Sequence, residues 1–396
     1  MANRLYYQDP QRLAFDAVVT GVTRLDGRPA VALEATAFYP TSGGQPFDTG
    51  TLGDARVLDV IESESGEIWH VLDREIEAGR GVRGIVDGDR RLDHMQQHTG
   101  QHILSAAFDH LHHARTVGFH LGALVSTVDL SVDLPPDQVA AAEAEANRIV
   151  WEDRPVAIRF VSSEEAATLP LRKEPERGGV LRLIDVESYD LSACGGTHVG
   201  RTGAVGLVAV LSAERLRGGT RVEFVCGARA LRSFHLFRDA VGGCIRHVSV
   251  APEELPAAVE RLQAENKDQL KLIRNLQERL AAFEAAGLAA AAEEIGGVRQ
   301  VVQAIDGREQ NELRTMALAI CGAPGYRVAL FSTTAPYVAV LARSKDGRTD
   351  CAAALKALMA AFGGRGGGRP EMAQAGGLTG DLSQILSAAR AEFERQ

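Results

Sequence analysis

The sequence has few cysteines, few aromatic residues and no long apolar run. Its cysteines are scattered, odd in number and form no Cys-x-x-Cys pair, which argues against a disulfide framework and predicts a reducing, cytoplasmic location. No stretch approaches the roughly 18 apolar residues of a membrane span, and the N-terminal residues lack a secretion-signal pattern. The sequence therefore predicts a soluble protein without membrane contact.

The chain also lacks an excess of basic residues. Its 43 Lys and Arg against 52 Asp and Glu give a formal net charge of −9 at pH 7. This excludes a generally basic coat for nucleic acid, but not a local basic patch, because binding depends on the charge at the contact face. With 396 residues, the chain is long enough for two or three domains.

Residues 1–90 are predicted to form a small all-β domain. The segment AVVTGVTRLDGRPAVALEA is typical of a β-hairpin that turns at Asp26 and Gly27. The segment RVLDVIESESGEIWHVLD repeats this pattern around a polar turn at residues 63–66. Between them, the glycines and prolines of FYPTSGGQPFDTGTL indicate an irregular loop. We therefore predict a β-barrel that carries one long loop.

Three further segments follow. Residues 91–248 mix helix and strand patterns, which predicts an α+β domain. Within residues 249–292, apolar positions from Leu255 to Phe283 recur alternately four and three apart, which predicts a long helix. This helix either packs on its own chain or dimerises through residues 251–290. Residues 293–396 predict an α/β domain with a loop, GGRGGGRPEMAQAGG, whose Arg365 and Arg369 suit phosphate binding.

Two pairs of metal-ligand residues stand out. DHMQQHTGQHILSAAF places His98 and His102 four apart, on one face of a helix. YDLSACGGTHVG places Cys194 and His198 four apart, with two glycines between them that allow a tight turn. A single inward histidine is more often a core residue. Three imidazoles and a thiolate together are a typical ligand set for tetrahedral zinc, and we predict one Zn²⁺ per chain.

Three classes of zinc protein could use such a ligand set. HExxH peptidases need a glutamate directly after the first histidine, where this chain has Thr99. A closed site with four protein ligands is usually structural, which would suit a tRNA- or RNA-binding module without hydrolytic activity. A hydrolase would use the metal to bind a water or to anchor the substrate.

A family resemblance bears on this choice. FYPTSGGQPFDTG, HTGQH, CGGTH and GGTRVEFVCG occur in the order found in the editing domain of alanyl-tRNA synthetases and in free-standing AlaX-type editing proteins. GGRGGGRPEMAQAGG resembles the glycine-rich motif of the DHH-associated domain that ends those synthetases. Because only about 90 residues precede the editing motifs, the chain resembles a long-form AlaX-type protein rather than a complete synthetase.

The resemblance implies a multi-domain α+β fold. Its parts would be an N-terminal β-barrel (1–90), a zinc editing domain (91–248), a helical linker (249–292) and a DHH-associated tRNA-binding domain (293–396). It also implies hydrolysis of Ser-tRNA(Ala) or Gly-tRNA(Ala). A synthetase pocket for alanine rejects a missing methylene or an added hydroxyl only by roughly 10–200-fold, so a second hydrolytic site is needed. Serine is the expected main substrate because a polar pocket can demand a hydroxyl.

The resemblance also implies roles for particular residues. The zinc ligands would be His98, His102, Cys194 and His198. In the PTSGGQP loop, Thr41 would face the serine hydroxyl and Gln45 would also contact substrate. His120 stands in VGFHLG, where some relatives have glutamine, and is a candidate pocket residue or general base because histidine is the side chain most often used for proton transfer.

Basic residues mark the expected contacts with tRNA. Arg365 and Arg369 would serve the C-terminal domain, which in the family contacts the tRNA elbow. Two further clusters are either tRNA contacts or ordinary solvated surface: Arg215, Arg217 and Arg221 between two predicted strands, and Arg172, Lys173 and Arg177 near the mouth of the site.

Overall fold

The computed structural model describes residues 2–172 and 179–395, so Lys173 and Arg177 lie outside the described residues. The chain divides into two compact units, Met1–Cys244 and Ile245–Gln396. The fold is α+β and multi-domain, as predicted. The predicted boundary at residue 91 falls inside a helix. The barrel and the α+β layer that follows it both belong to the first unit. The domain boundaries themselves stay a prediction.

The first unit begins with a closed six-stranded barrel, ordered β2-β3-β7-β6-β5-β8. Asp26 and Gly27 both have positive φ (48° and 79°), the conformation of a two-residue hairpin turn. This confirms both the barrel and its first hairpin. The elements are β1 (Asn3–Arg4), α1 (Leu5–Gln8), β2 (Ala14–Leu25), β3 (Arg28–Leu33), β4 (Ala35–Thr36), β5 (Gly50–Leu52), β6 (Ala55–Glu62), β7 (Ile68–Leu72) and β8 (Gly81–Val86).

An α+β layer completes the first unit. Its four-stranded sheet has the order β14-β15-β10-β9, and a three-stranded sheet has the order β11-β12-β13. The long helix α2 packs on α3, and both contribute to the core under the four-stranded sheet. The elements are α2 (Gly88–His112), β9 (Thr116–Leu121), β10 (Ser126–Leu130), α3 (Pro136–Trp151), β11 (Val156–Ser162), α4 (Ser163–Ala166), β12 (Val180–Val186), β13 (Asp190–Ala193), β14 (Val208–Leu216), β15 (Gly219–Cys226) and α5 (Ala228–Val248).

The second unit is a six-stranded sheet with helices on both faces. The strand order is β16-β17-β18-β19-β21-β20. Val301 and Val302 are neighbours on β17 but belong to different core clusters, because successive strand residues face opposite sides. The elements are α6 (Leu255–Ala290), β16 (Glu293–Ile295), β17 (Val298–Ile305), α7 (Gln310–Cys321), β18 (Tyr326–Ser332), β19 (Tyr337–Arg343), α8 (Cys351–Phe362), β20 (Arg365–Arg369), β21 (Met372–Leu378) and α9 (Leu382–Glu394).

The glycine-rich segment differs from the prediction. It forms the hairpin β20–β21 at the sheet edge rather than a loop between helices. A Cβ on Gly366 would lie 2.2 Å from the Gln374 carbonyl oxygen, and one on Gly368 would lie 2.3 Å from that of Met372. The glycines therefore permit close contact between two strands, whereas the density of glycine in the sequence had indicated a loop.

The long helix α6 is present over most of the predicted linker. Its apolar seam is largely exposed, with Leu276 at 50% and Phe283 at 81% of their full exposure. Ala281 and Ala285 instead pack into the core of the second unit. Dimerisation through residues 251–290 stays a prediction. Within residues 2–172 and 179–395, no helix is both long and apolar enough for a membrane span.

Candidate metal centre

Helix α2 holds the first pair of predicted ligands. The Asp87 side chain caps the helix by accepting a hydrogen bond from the Arg90 amide, at 3.2 Å. His98 and His102 follow in the buried middle of the helix and face the same side. The helix thus presents two imidazoles to a region where it would otherwise bury apolar side chains.

The turn after β13 holds the second pair. β13 ends at Ala193, and Cys194 and His198 then point toward the same region as the α2 pair. A Cβ on Gly196 would lie 2.2 Å from the Cε1 atom of His98. Glycine is therefore required at this position for the turn to approach the helix so closely.

The four predicted ligands converge. One donor atom from each of His98, His102, Cys194 and His198 lies within 4.8 Å of the others. The Sγ atom of Cys194 is 3.4 Å from Nε2 of His98 and 3.4 Å from Nε2 of His198. In a tetrahedral zinc site, usual bond lengths place sulfur and nitrogen about 3.5 Å apart. The cluster can therefore hold a metal ion, and its donors fit zinc.

The outer nitrogen of each histidine has a fixed partner. Nδ1 of His98 donates to Oε1 of Gln45 at 2.8 Å, and Nδ1 of His102 donates to Oδ2 of Asp190 at 3.2 Å. Nδ1 of His198 lies 3.2 Å from the hydroxyl of Thr99. Such contacts leave Nε2 of each ring free for a metal and fix the ring orientation.

The electrostatics favour the ligand form of two residues. Burial opposes ionisation of the Cys194 thiol, yet His98, His102 and His198 outweigh it and hold its pKa well below the usual range. Burial also lowers the pKa of His198 to about 3, because it disfavours the charged imidazolium. A thiolate and a neutral imidazole are the forms that bind a metal.

His102 and Asp190 form a strongly coupled pair. Burial disfavours a charged imidazole, but Asp190 and Cys194 outweigh it and raise the pKa of His102 to about 9. Burial likewise opposes ionisation of Asp190, yet His102 and Arg172 hold its pKa well below the usual range. A metal that binds Nε2 of His102 must therefore displace a proton there.

A buried arginine supports the thiolate ligand. Arg182 donates from Nη1 to the Cys194 carbonyl at 2.6 Å and from Nε to the Tyr7 carbonyl at 2.9 Å. Burial lowers the pKa of this guanidinium, and no carboxylate contact offsets it among the described residues. Arg182 thereby joins the ligand turn to helix α1 and places a positive charge beside the Cys194 thiolate.

The remaining predicted pocket residues take other positions. Gln45 uses both amide atoms on His98 and Thr197, so it orients a ligand instead of presenting its amide to substrate. Thr41 is exposed in the same loop, and its contact with substrate stays a prediction. His120 does not join the cluster: its neighbour Phe119 packs on His98, and because strand residues alternate, His120 lies on the opposite, exposed face. His120 therefore lies outside the cluster, and a catalytic role for it stays a prediction.

Of the residues in the two predicted basic clusters that the structure describes, three form ion pairs. Arg172 donates to Asp190 at 2.6 Å, so it supports His102 through that carboxylate. Arg215 pairs with Asp133 at 3.0 Å. The third pair joins Arg221 to Asp129 with two bonds of 2.7 and 2.8 Å, and Arg217 is exposed in the turn between β14 and β15.

Thr99 and Asp190 were missed by the sequence reasoning. Thr99 directly follows His98, where it had served only to exclude an HExxH motif. Asp190 stands four residues before Cys194, and a carboxylate so close to a ligand turn is a signal for a second-sphere partner. The ligands could be recognised by their spacing, whereas these partners depend on contacts between distant segments.

A basic groove lies in the second unit. It has a volume of about 760 Å³ between α7, the end of β19 and the β20–β21 hairpin. Gly367 and Gly368 form part of its wall, while Arg365 does not line it. Its acidic residue, Glu371, contacts Arg343 at 3.5 Å. The cationic lining residues are Arg314, Arg343, Lys345 and Arg369.

Two segments match known family models. Residues 181–223 match the threonyl and alanyl tRNA synthetase second additional domain, which includes the Cys194–His198 turn. Residues 297–395 match the DHHA1 domain, which includes the β20–β21 hairpin. The two units thus carry domains that are related to parts of aminoacyl-tRNA synthetases.

Curated relatives extend the similarity over nearly the whole chain. The alanine–tRNA ligase of Methanoregula boonei is 34% identical over 98% of this chain, and that of Natronomonas pharaonis is 36% identical over 98%. The alignments span 43% of each ligase. The alanine–tRNA ligase of Pyrococcus furiosus is 31% identical over 79% of this chain and 35% of its own length. Among solved structures, the C-Ala domain of Aquifex aeolicus alanyl-tRNA synthetase matches 26% of this chain and 96% of its own, with 19% identity and a TM-score of 0.24.

Proposed function

We propose that this protein is a long-form AlaX-type editing factor that hydrolyses mischarged tRNA(Ala) in trans. Its main substrate is Ser-tRNA(Ala), and Gly-tRNA(Ala) is the second. The proposal rests on the convergence of His98, His102, Cys194 and His198 within 4.8 Å. This convergence occurs in a chain that aligns over 98% of its length with alanine–tRNA ligases.

The protein residues prepare the site for a single zinc ion. Zinc, when bound, supplies Lewis acidity toward the ester carbonyl. Gln45, Asp190 and Thr99 hold the three imidazoles in position, and Arg182 fixes the Cys194 turn. The PTSGGQP loop brings Gln45 to the cluster, so Thr41 in the same loop is the residue we assign to the substrate hydroxyl.

A structural zinc site in an RNA-binding module is the second candidate. One observation favours it: the four protein donors complete a tetrahedral set, as closed structural sites do. Such a protein would bind tRNA and zinc but would leave the ester intact.

The two candidates differ in turnover. We expect the zinc-loaded protein to deacylate Ser-tRNA(Ala) fastest. Gly-tRNA(Ala) and Ala-tRNA(Ala) should react at least about tenfold more slowly, because both amino acids lack the hydroxyl and leave polar groups of the pocket unpaired. Release of radiolabelled amino acid at matched enzyme concentration measures the three rates. A folded, zinc-loaded protein that hydrolyses none of them would support the structural role instead.

We also propose that the basic groove of the second unit binds tRNA phosphates. The groove is lined by four cations and one carboxylate, Glu371, and Gly367 keeps one wall open for a backbone to approach. Phosphate contacts release counterions, so this binding should weaken steeply with salt.

Changing Arg369 to alanine should raise the KM for full-length Ser-tRNA(Ala) by about five- to tenfold. The logarithm of the tRNA-binding constant should also fall less steeply with the logarithm of salt concentration, by about one unit of slope. The Arg365→Ala, Arg369→Ala double variant should raise the KM at least as much. Neither should alter hydrolysis of a short acceptor-stem mimic. Arg274→Ala, on exposed α6 outside the groove, removes the same charge and is the matched control. If the variants lost hydrolytic activity equally on the full tRNA and on the acceptor-stem mimic, this assignment would be contradicted.

A further inference from the structure

A phenylalanine borders the metal centre. Phe119 on β9 lies with its ring centroid 5.9 Å from that of His98, at an interplanar angle of 41°. Phe119 is 37% exposed, whereas His98 beside it is almost fully buried. Phe119 therefore offers an aromatic surface to solvent directly beside a predicted metal ligand.

The PTSGGQP loop contacts this ring from another side. Gly44 has a φ of +80°, and a Cβ there would lie 2.9 Å from Cε2 of Phe119. The Leu121 amide donates to the Gly44 carbonyl at 3.2 Å, which ties the loop to β9. Contact with His98 and with Gly44 holds the ring in place, so a ligand that uses it meets a preformed surface.

We propose that Phe119 is the stacking platform for the terminal adenine of the bound tRNA. This inference rests on the proposed function, because every aminoacyl-tRNA carries its ester on a 3′-terminal adenosine. When that ester reaches the cluster, the attached base lies within a few ångströms of the ribose and needs an apolar face. Tyr7, the aromatic ring next to Gly195 in the ligand turn, is already engaged by the guanidiniums of Arg4 and Arg182, at 5.4 and 5.5 Å from its centroid.

Stacking would act on every substrate alike. The adenine is common to seryl, glycyl and alanyl esters, so Phe119 contributes to binding the acceptor end and not to the choice of amino acid. Stacking of a base on an aromatic ring accounts for roughly five- to 150-fold in affinity, as judged by alanine substitution.

The test compares uncharged tRNA(Ala) ending in CCA with the same tRNA lacking its last adenosine. The wild type should bind the CCA form at least about fivefold more tightly. Phe119→Ala and Phe119→Leu should lose this preference, while Phe119→Tyr should keep it. Zinc content is measured for each variant, because Phe119 also touches His98. Leu124→Ala removes an apolar side chain that is 82% exposed in the turn after β9 and should leave the preference unchanged.

Hydrolysis gives the second readout. Phe119→Ala should raise the KM for Ser-tRNA(Ala) by about the same factor as the lost preference, and kcat/KM for serine ethyl ester, which lacks the base, should stay within twofold. An unchanged CCA preference in zinc-loaded Phe119→Ala, or no preference in the wild type, would contradict the proposal that Phe119 stacks on the terminal adenine. If the wild type prefers CCA through Phe119 but hydrolyses no ester, the stacking role of Phe119 is supported and the proposed function is rejected.

Discussion

Replacement of Cys194 by alanine is expected to lower the rate of Ser-tRNA(Ala) hydrolysis by about a thousand-fold or more. Cys194 is the thiolate of the cluster, and its Sγ atom lies 3.4 Å from the Nε2 atoms of two histidines. Loss of one donor weakens zinc binding and removes the charge stabilisation that a bound metal gives, which amounts to several kcal/mol, or about 4 kcal/mol for a thousand-fold effect.

The measurement combines single-turnover deacylation with zinc content by mass spectrometry and with circular dichroism. Cys244→Ala removes an exposed thiol outside the cluster and should behave like wild type in all three. If Cys194→Ala kept its fold and lost its zinc but still hydrolysed at the wild-type rate, the cluster would not be the catalytic centre. Loss of fold together with zinc would instead favour the structural role of the metal.

The ligand set was accessible from the sequence because its geometry is local. Residues four apart on a helix share a face, which places His98 beside His102. Two glycines between Cys194 and His198 allow both side chains to point one way. The sequence also predicted the barrel and its hairpins, because Asp-Gly and Ser-Gly turns between alternating apolar segments are strong local signals.

What the sequence did not show depends on contacts between distant segments. Gln45 reaches His98 across 53 positions, and Asp190 reaches His102 across 88. His120 was predicted as a candidate pocket residue because some relatives have glutamine there, but strand alternation directs Phe119 to the cluster instead. The glycine-rich segment indicated a loop because glycine disfavours strands, yet at β20 the lack of side chains permits close pairing with β21.

The second large effect is on stability, and it concerns the buried ion pair that connects the barrel to helix α2. Arg91 and Asp48 are both fully buried and form an ion pair at 2.5 Å. Arg91 also donates to the carbonyls of Pro10 and Ala37, so one guanidinium ties the long loop and the N-terminal segment to the helix that carries His98 and His102. Asp48 further accepts from the Tyr39 amide at 2.7 Å.

Asp48→Asn should therefore lower the free energy of unfolding by about 3–5 kcal/mol, because it leaves the Arg91 charge buried without its counterion. Urea titration followed by circular dichroism and tryptophan fluorescence measures the change. The Asp48→Leu, Arg91→Met double variant should recover part of the loss, since no unpaired charge remains, although the Pro10 and Ala37 carbonyls lose their donor.

An exposed ion pair in the same barrel is the matched control. Arg24 and Glu75 pair with side chains 60% and 71% exposed, so Glu75→Gln should cost at most about 1 kcal/mol. If Asp48→Asn cost no more than Glu75→Gln, the buried pair would not be what secures α2 to the barrel. If it costs the larger amount and also lowers zinc affinity, the long loop and α2 act as one unit, because displacement of Asp48 would shift Gln45 in the same loop away from His98.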